Sequence, residues 1–168
     1  MSWFRIAYVS VILSATIATS GCVRPLLAGA GGDHLVEEMS SIRLEPIPER
    51  LGHYLVNELA FALKGSRETS EKYRLIISLS QRIQTPIVDT VSGRATSTTV
   101  LVDAEYRLRL IGSEKDVASG VAFTMISYDR TSQRYSNIRA GKDAEVKAAR
   151  ALSEQIRMKL ISDLIARR

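Results

Sequence analysis

The sequence predicts a two-layer α+β domain, with two helices packed on one face of a four-stranded mixed sheet. Three observations carry this. Two segments repeat apolar residues at helical spacing: Leu51, Leu55, Leu59, Leu63 and, near the C-terminus, Leu152, Ile156, Leu160, Leu164. Three segments between them alternate apolar and polar residues with the period of a strand. A further short strand ahead of the first helix makes a strand–helix–strand opening, which implies a crossover covering one sheet face.

Residues 41–48, Ser-Ile-Arg-Leu-Glu-Pro-Ile-Pro, alternate and then meet two prolines, so a short strand ends there. Pro48 suits the first turn of a helix. That helix is expected over 49–64 and is stopped by Gly65-Ser66. Tyr73, Leu75, Ile77 and Leu79 share one strand face, opposite Arg74, Ser78, Ser80 and Arg82. Thr98, Val100, Val102, Ala104, Tyr106, Leu108 and Leu110 line one side of a long strand, with Asp103, Glu105, Arg107 and Arg109 on the other. A turn at 112–116 leads into a strand over 117–128, where Val121, Phe123 and Met125 alternate in register. These three strands read as an antiparallel meander. A final helix is expected over 143–166, with Ala148 and Ala149 permitting close approach at its start.

The N-terminus carries a different signal. A short cationic start ending at Arg5 precedes 13 apolar-rich residues, Ile6 to Ala18, and then Thr19-Ser20-Gly21-Cys22. Thirteen residues fall short of the ~18 needed to span a hydrocarbon core, so the run reads as a secretory signal. Cys22 is the only cysteine. Its setting resembles the bacterial lipobox, in which the thiol is lipidated and becomes the first residue, although Thr19 stands where Leu is usual. An ordinary exported protein with a cysteine near its cleavage site is the alternative. Residues 1–21 are thus assigned to the signal peptide, 22–39 to a Gly-rich lipidated tether around Gly29-Ala30-Gly31-Gly32, and 40–168 to the folded domain.

Cleavage there would leave 147 of the 168 residues, enough for one domain that buries most of its apolar surface without staples. One cysteine excludes an internal disulfide. The formal charge of +5 suits an anionic partner such as a phosphorylated lipid or an acidic wall, and export argues against nucleic acid. Catalytic signatures are missing: the two histidines, His34 and His53, have no metal-ligand spacing, and no P-loop or nucleophile elbow occurs. Asp103 and Glu105 could pair as acid and base, but Arg107 and Arg109 on the same face make a charge ladder the plainer reading. No enzyme activity and no cofactor beyond the covalent lipid are expected.

Several segments, in order, resemble one family. Pro25-Leu26 follows the cysteine at a short interval, and Pro48-Glu49-Arg50-Leu51-Gly52 matches a Pro-x-Arg-x-Gly element. Tyr-Arg-Leu recurs at Tyr73 and at Tyr106. The most specific part is the approach to the last helix: Ser127-Tyr128-Asp129, Tyr135-Ser136-Asn137, Lys142-Asp143-Ala144-Glu145 and Ala148-Ala149-Arg150. Together they resemble the lipopolysaccharide-assembly lipoproteins, alphaproteobacterial type. The aromatic residue that this family carries after its cysteine is absent here, where Val23-Arg24 stand instead.

The resemblance implies a lipid-anchored outer-membrane protein that plugs and helps assemble the β-barrel exporting lipopolysaccharide. It implies no catalysis, with the barrel and lipopolysaccharide as partners. Val23 after the cysteine is consistent with outer-membrane sorting. Binding of lipid A phosphates would need cations free of strand ladders. Arg94, near the turn between the second and third strands, is one candidate. Arg139 and Lys142, in the loop expected before the last helix, and Arg130 and Arg134, which flank the same region, are the others. Singly these read as solvated loop charges, and as a cluster at one end of the sheet they read as an anion site. An auxiliary lipoprotein of a phospholipid-trafficking or peptidoglycan-linked complex is the alternative reading.

Overall fold

The computed structural model describes residues 32–64, 70–85 and 96–167. The chain divides into two compact units, Met1–His34 and Leu35–Arg168, and the account below concerns the second. Its elements are α1 (Gly32–Ser40), β1 (Ile42–Leu44), α2 (Glu49–Lys64), β2 (Tyr73–Gln84), β3 (Ser97–Leu110), β4 (Asp116–Asp129) and α3 (Arg134–Ala166). The strands form one mixed sheet in the order β1-β2-β3-β4, with β1 parallel to β2 and the other pairs antiparallel. The α+β class, the four-stranded mixed sheet and the antiparallel meander of β2 to β4 follow the sequence reading.

The tether was expected to reach Met39, but its last part is helical. Leu35 and Met39, one turn apart, are both buried, which gives α1 a reason to dock. Its end is closed by Ser40 and Ser41, whose hydroxyls donate to the carbonyls of Glu37 (2.8 Å) and Glu38 (2.7 Å). Residues 22–31 lie outside the described residues.

Strand β1 is three residues long because Pro46 can donate nothing to a ladder; the last rung is Glu45 N–H to the Leu75 carbonyl at 3.1 Å. The chain then turns tightly into α2. Glu49 takes a left-handed backbone, φ 69°. At Gly52 a Cβ would stand 2.7 Å from the Ile47 carbonyl oxygen. The Pro-x-Arg-x-Gly element is therefore a folding device at its glycine, since any side chain there would displace the backbone of Ile47.

Leu55 and Leu59 from α2 meet Leu152, Ile156 and Leu160 from α3 in the layer over the sheet, and all five are fully buried. Below them lie Leu75, Val102, Ala104, Tyr106 and Leu108. Opposite, on the open sheet face, Arg82 bonds Asp103 at 2.8 Å, and Arg109 bonds Asp116 and Glu114 at 2.6 and 2.7 Å. Asp103 thus belongs to a charge ladder. Val121, Phe123 and Met125 of β4 occupy this open face too and are exposed. Their inward neighbours are small, because α3 crosses β4 closely. A Cβ on Gly120 would lie 2.7 Å from the Tyr106 hydroxyl, so the large ring of β3 fills the room that β4 vacates.

Helix α3 starts at Arg134, nine residues before the expected start, and runs for 33 residues. Gly141 and the polar run from 129 to 137 suggested a loop. Instead Asn137 clasps Thr131, accepting from its N–H and donating to its carbonyl, both at 2.8 Å, and this fixes the turn into the helix. Gly141 stays helical and lets Tyr128 approach, its hydroxyl 3.3 Å from where a Cβ would be.

Candidate anion-binding groove

The C-terminal ends of β2 and β4, the start of β3 and the first turns of α2 and α3 converge around a groove of about 960 Å³. Arg130 follows β4, Arg134 opens α3, and Lys142 stands two turns further along α3; all three line the groove. None of them forms an ion pair among the described residues. The early start of α3 brings Arg134 and Lys142 together on a rigid element where a loop was expected.

Arg139, predicted with them, does not line the groove. It lies on an adjoining side of α3, in a shallow hollow with Tyr135, Val146 and Asp143, and Lys142 and Ile138 border both. Arg94 lies outside the described residues, as does Cys22.

Arg50 was noted in the sequence only as part of a motif, and it is the fourth cation of the groove wall. It bonds Glu145 of α3 through two contacts, Nε to Oε2 at 2.6 Å and a terminal nitrogen to Oε1 at 2.7 Å. That hydrogen bond, and then the carboxylate's charge, raise the Arg50 pKa above its ordinary value. No sequence signal pairs residues 95 apart; the helix packing does. With Arg50 and Glu145 neutralising each other, the groove lining keeps a charge of +3 from Arg130, Arg134 and Lys142.

Two features besides charge mark the groove. Ile83 and Ile138 leave apolar surface open at its rim, 64% and 50% exposed. Thr98, which also lines it, is buried with a side-chain oxygen that has no hydrogen-bond partner among the described residues. Paired arginine donors suit phosphate oxygens, and isoleucines beside them suit a chain or ring attached to the phosphate. His53 is exposed on α2 and is not among the residues lining the groove. Among the described residues no three His, Cys, Asp or Glu side chains gather as a metal site would need. No described helix is long and apolar enough to cross a membrane.

The fold defined by these elements is one found among bacterial lipoproteins. A candidate lipoprotein from Caulobacter crescentus has it, with a TM-score of 0.66 and 22% identity over 79% of this chain and 97% of that one. A minor lipoprotein of Acinetobacter baumannii follows at 0.53 and 13% identity, over 73% and 90% of the two chains. A looser likeness, 0.47 and 12% identity over 72% and 95%, is to rare lipoprotein B from Shewanella oneidensis. What this chain shares with such structures is the fold. No protein-family model matches the sequence, and no curated protein does.

Proposed function

We propose that this chain is an outer-membrane lipoprotein, anchored through Cys22, that plugs and helps assemble the barrel exporting lipopolysaccharide. It acts by binding and not by catalysis, and its groove receives the phosphates of lipid A. The observation that carries the reading is the groove, where three cations that form no ion pair among the described residues stand beside exposed isoleucines at one end of the sheet. A phosphorylated amphiphile has the matching chemistry. Two further supports are the ordered resemblance through Tyr128, Tyr135, Lys142 and Arg150 and a fold found in other bacterial lipoproteins. The open sheet face, with its ion-pair ladder and scattered apolar residues, suits a wet and largely polar barrel lumen.

Purification of the full chain in detergent, with identification of what accompanies it, tests the proposal. A large outer-membrane barrel in equal amount, together with lipopolysaccharide, is the expected result. Recovery of a phospholipid-transport or peptidoglycan-bound complex without such a barrel would overturn it.

A further inference from the structure

Helix α3 begins at the groove with an end that its own residues leave open. The N–H groups of Gln133, Arg134, Tyr135 and Ser136 precede the first helical bond, from Asn137 N–H to the Gln133 carbonyl, and have no partner within the helix. Gln133 N–H donates to the Thr131 hydroxyl at 3.3 Å. Among the described residues the other three donate to nothing. Gln133 has the extended backbone of a capping residue, φ −86° and ψ 110°, yet its side chain makes no capping bond. Serine, aspartate or asparagine would reach back from this position, and glutamine is a methylene longer than asparagine.

Charge sharpens the point. A helix N-terminus carries ~+0.5 of an elementary charge, which acidic residues of the first turn ordinarily offset. Here the first turn has no acid, and it opens on Arg134. Arg130 precedes it and lines the same groove. Two guanidiniums and the helix dipole thus act together on the groove. A second, independent observation lies on the sheet. Thr98 of β3 stands opposite Tyr128 of β4 and lines the groove together with Thr131 and Arg134. It is 2% exposed, and its hydroxyl has no hydrogen-bond partner among the described residues. An unpaired buried hydroxyl is costly, and a valine of the same shape would avoid the cost. Beside a groove, a polar guest supplies the missing bond.

We infer that the N-terminus of α3 is the seat of a phosphate monoester, held by the free N–H groups and by Arg130 and Arg134. Thr98 meets a further oxygen of the same ligand. This rests on the reading of the groove as a lipid-phosphate site and adds which groups hold the phosphate. Free phosphate would take the same seat, since the helix end and the guanidiniums contact only the anion.

The test uses the full chain in detergent and varies residue 133. Gln133→Ser supplies a neutral cap and Gln133→Asp a charged one, and neither change removes a cation. Both variants should melt at a higher temperature without ligand, because the cap bonds a free N–H. Inorganic phosphate, titrated against chloride at equal ionic strength, should stabilise the unsubstituted chain saturably, Gln133→Ser less and Gln133→Asp not at all. Lipopolysaccharide should bind Gln133→Asp at least ten-fold more weakly, and lipopolysaccharide stripped of its phosphates should bind all three chains weakly and alike. Thr98→Val should melt no lower than the unsubstituted chain and bind lipopolysaccharide several-fold more weakly, while Thr98→Ser, which keeps the hydroxyl, should bind normally. Unchanged phosphate and lipopolysaccharide binding by Gln133→Asp would overturn the seat and leave the groove reading to Arg130 and Lys142. A loss in Gln133→Asp with none in Gln133→Ser would reduce the effect to charge and overturn the role of the N–H groups. A Gln133→Ser chain that melts no higher would show those groups already satisfied, which also overturns it. Stabilisation by phosphate in a chain that binds no lipopolysaccharide would uphold the seat with free phosphate as its ligand and refute the lipid reading.

Discussion

Arg50 and Glu145 hold each other through two nearly parallel hydrogen bonds of 2.6 and 2.7 Å, tying the first turn of α2 to α3 at the wall of the groove. Glu145 is largely buried, so losing Arg50 strands a carboxylate where water reaches it poorly. Arg50 itself is about half exposed, and solvent therefore screens part of the pair's energy. Arg50→Ala and Glu145→Ala should each cost ~1–3 kcal/mol, and the double variant much less than their sum. Breaking Lys147–Asp143, an exposed pair on α3, should cost only ~0.3–0.5 kcal/mol. Chemical denaturation of the five proteins checks this. Additive losses for the Arg50 and Glu145 variants would mean that the clamp is not a clamp.

Packing makes a second prediction. Leu55, Leu59, Leu152 and Ile156 show no exposure, so truncation of any one to Ala should cost ~2–5 kcal/mol. Lys159→Arg should be nearly silent, since a guanidinium still donates to the Val121 carbonyl. Gly52→Ala should be far worse than its size suggests, because the added methyl meets backbone and not a movable side-chain tip. Gly120→Ala should be milder, and Tyr106→Phe should recover part of the loss by removing the nearest atom. Thermal melts of these variants distinguish the cases.

Tyr106 makes the third, in alkaline solution. Burial, followed by the charge of Asp163 3.4 Å away and the hydrogen bond to it, pushes its pKa from 10.0 to about 12. Below pH 10 the phenol keeps its proton in both the folded and unfolded chain, and its contribution is complete. As pH rises towards 12 the unfolded chain releases the proton first, so stability falls across this window. Tyr106→Phe should lack that component. Unfolding free energies from pH 9 to 12 should show a steeper decline in the unsubstituted protein, and parallel curves would refute the assignment.

Much of this architecture was legible because it depends on local periodicity. The bounds of α2 followed from leucines at every fourth position and from proline and glycine at its ends. The alternation in β3 separated its buried face from its charged face. The early turns of α3 were missed because Gly141 is a poor helix former, and what retains it is Tyr128, a contact that composition does not reveal. Helix α1 was missed because the glycines ahead of it outweighed a single pair, Leu35 and Met39. For the site, Arg130, Arg134 and Lys142 were legible as cations near one sheet end. Arg139 was placed with them as a loop residue, but the helical turn carries it to a different side. The Arg50 contribution needed the packing of α2 on α3, which no segment of sequence encodes by itself.

Lipidation gives a fourth prediction. Cys22→Ser should leave a larger, unprocessed precursor, because the lipid is added before this kind of signal is cut. A fatty-acid label should mark the unsubstituted chain and not the variant. Equal labelling of both would remove the anchor. The fold of the Leu35–Arg168 unit should tolerate the change, since Cys22 lies outside it.

The groove gives the last. Arg130→Glu with Lys142→Glu turns its lining from a net +3 to −1, while leaving the Arg50–Glu145 clamp and the core untouched. Each charge-assisted contact to a phosphate is worth ~1.5–3 kcal/mol, so lipopolysaccharide should bind at least ten-fold more weakly. Arg139→Glu, on the adjoining side of α3, should have a smaller effect, which separates a local site from general basicity. The barrel complex should survive both changes, because a broad plug surface tolerates the loss of one or two charges. Cells carrying the double variant should become more sensitive to large antibiotics as surface lipopolysaccharide falls. Equal losses for the Arg139 and groove variants would reduce the effect to net charge. Unchanged binding by the folded double variant would leave a scaffold for the barrel and no lipid site.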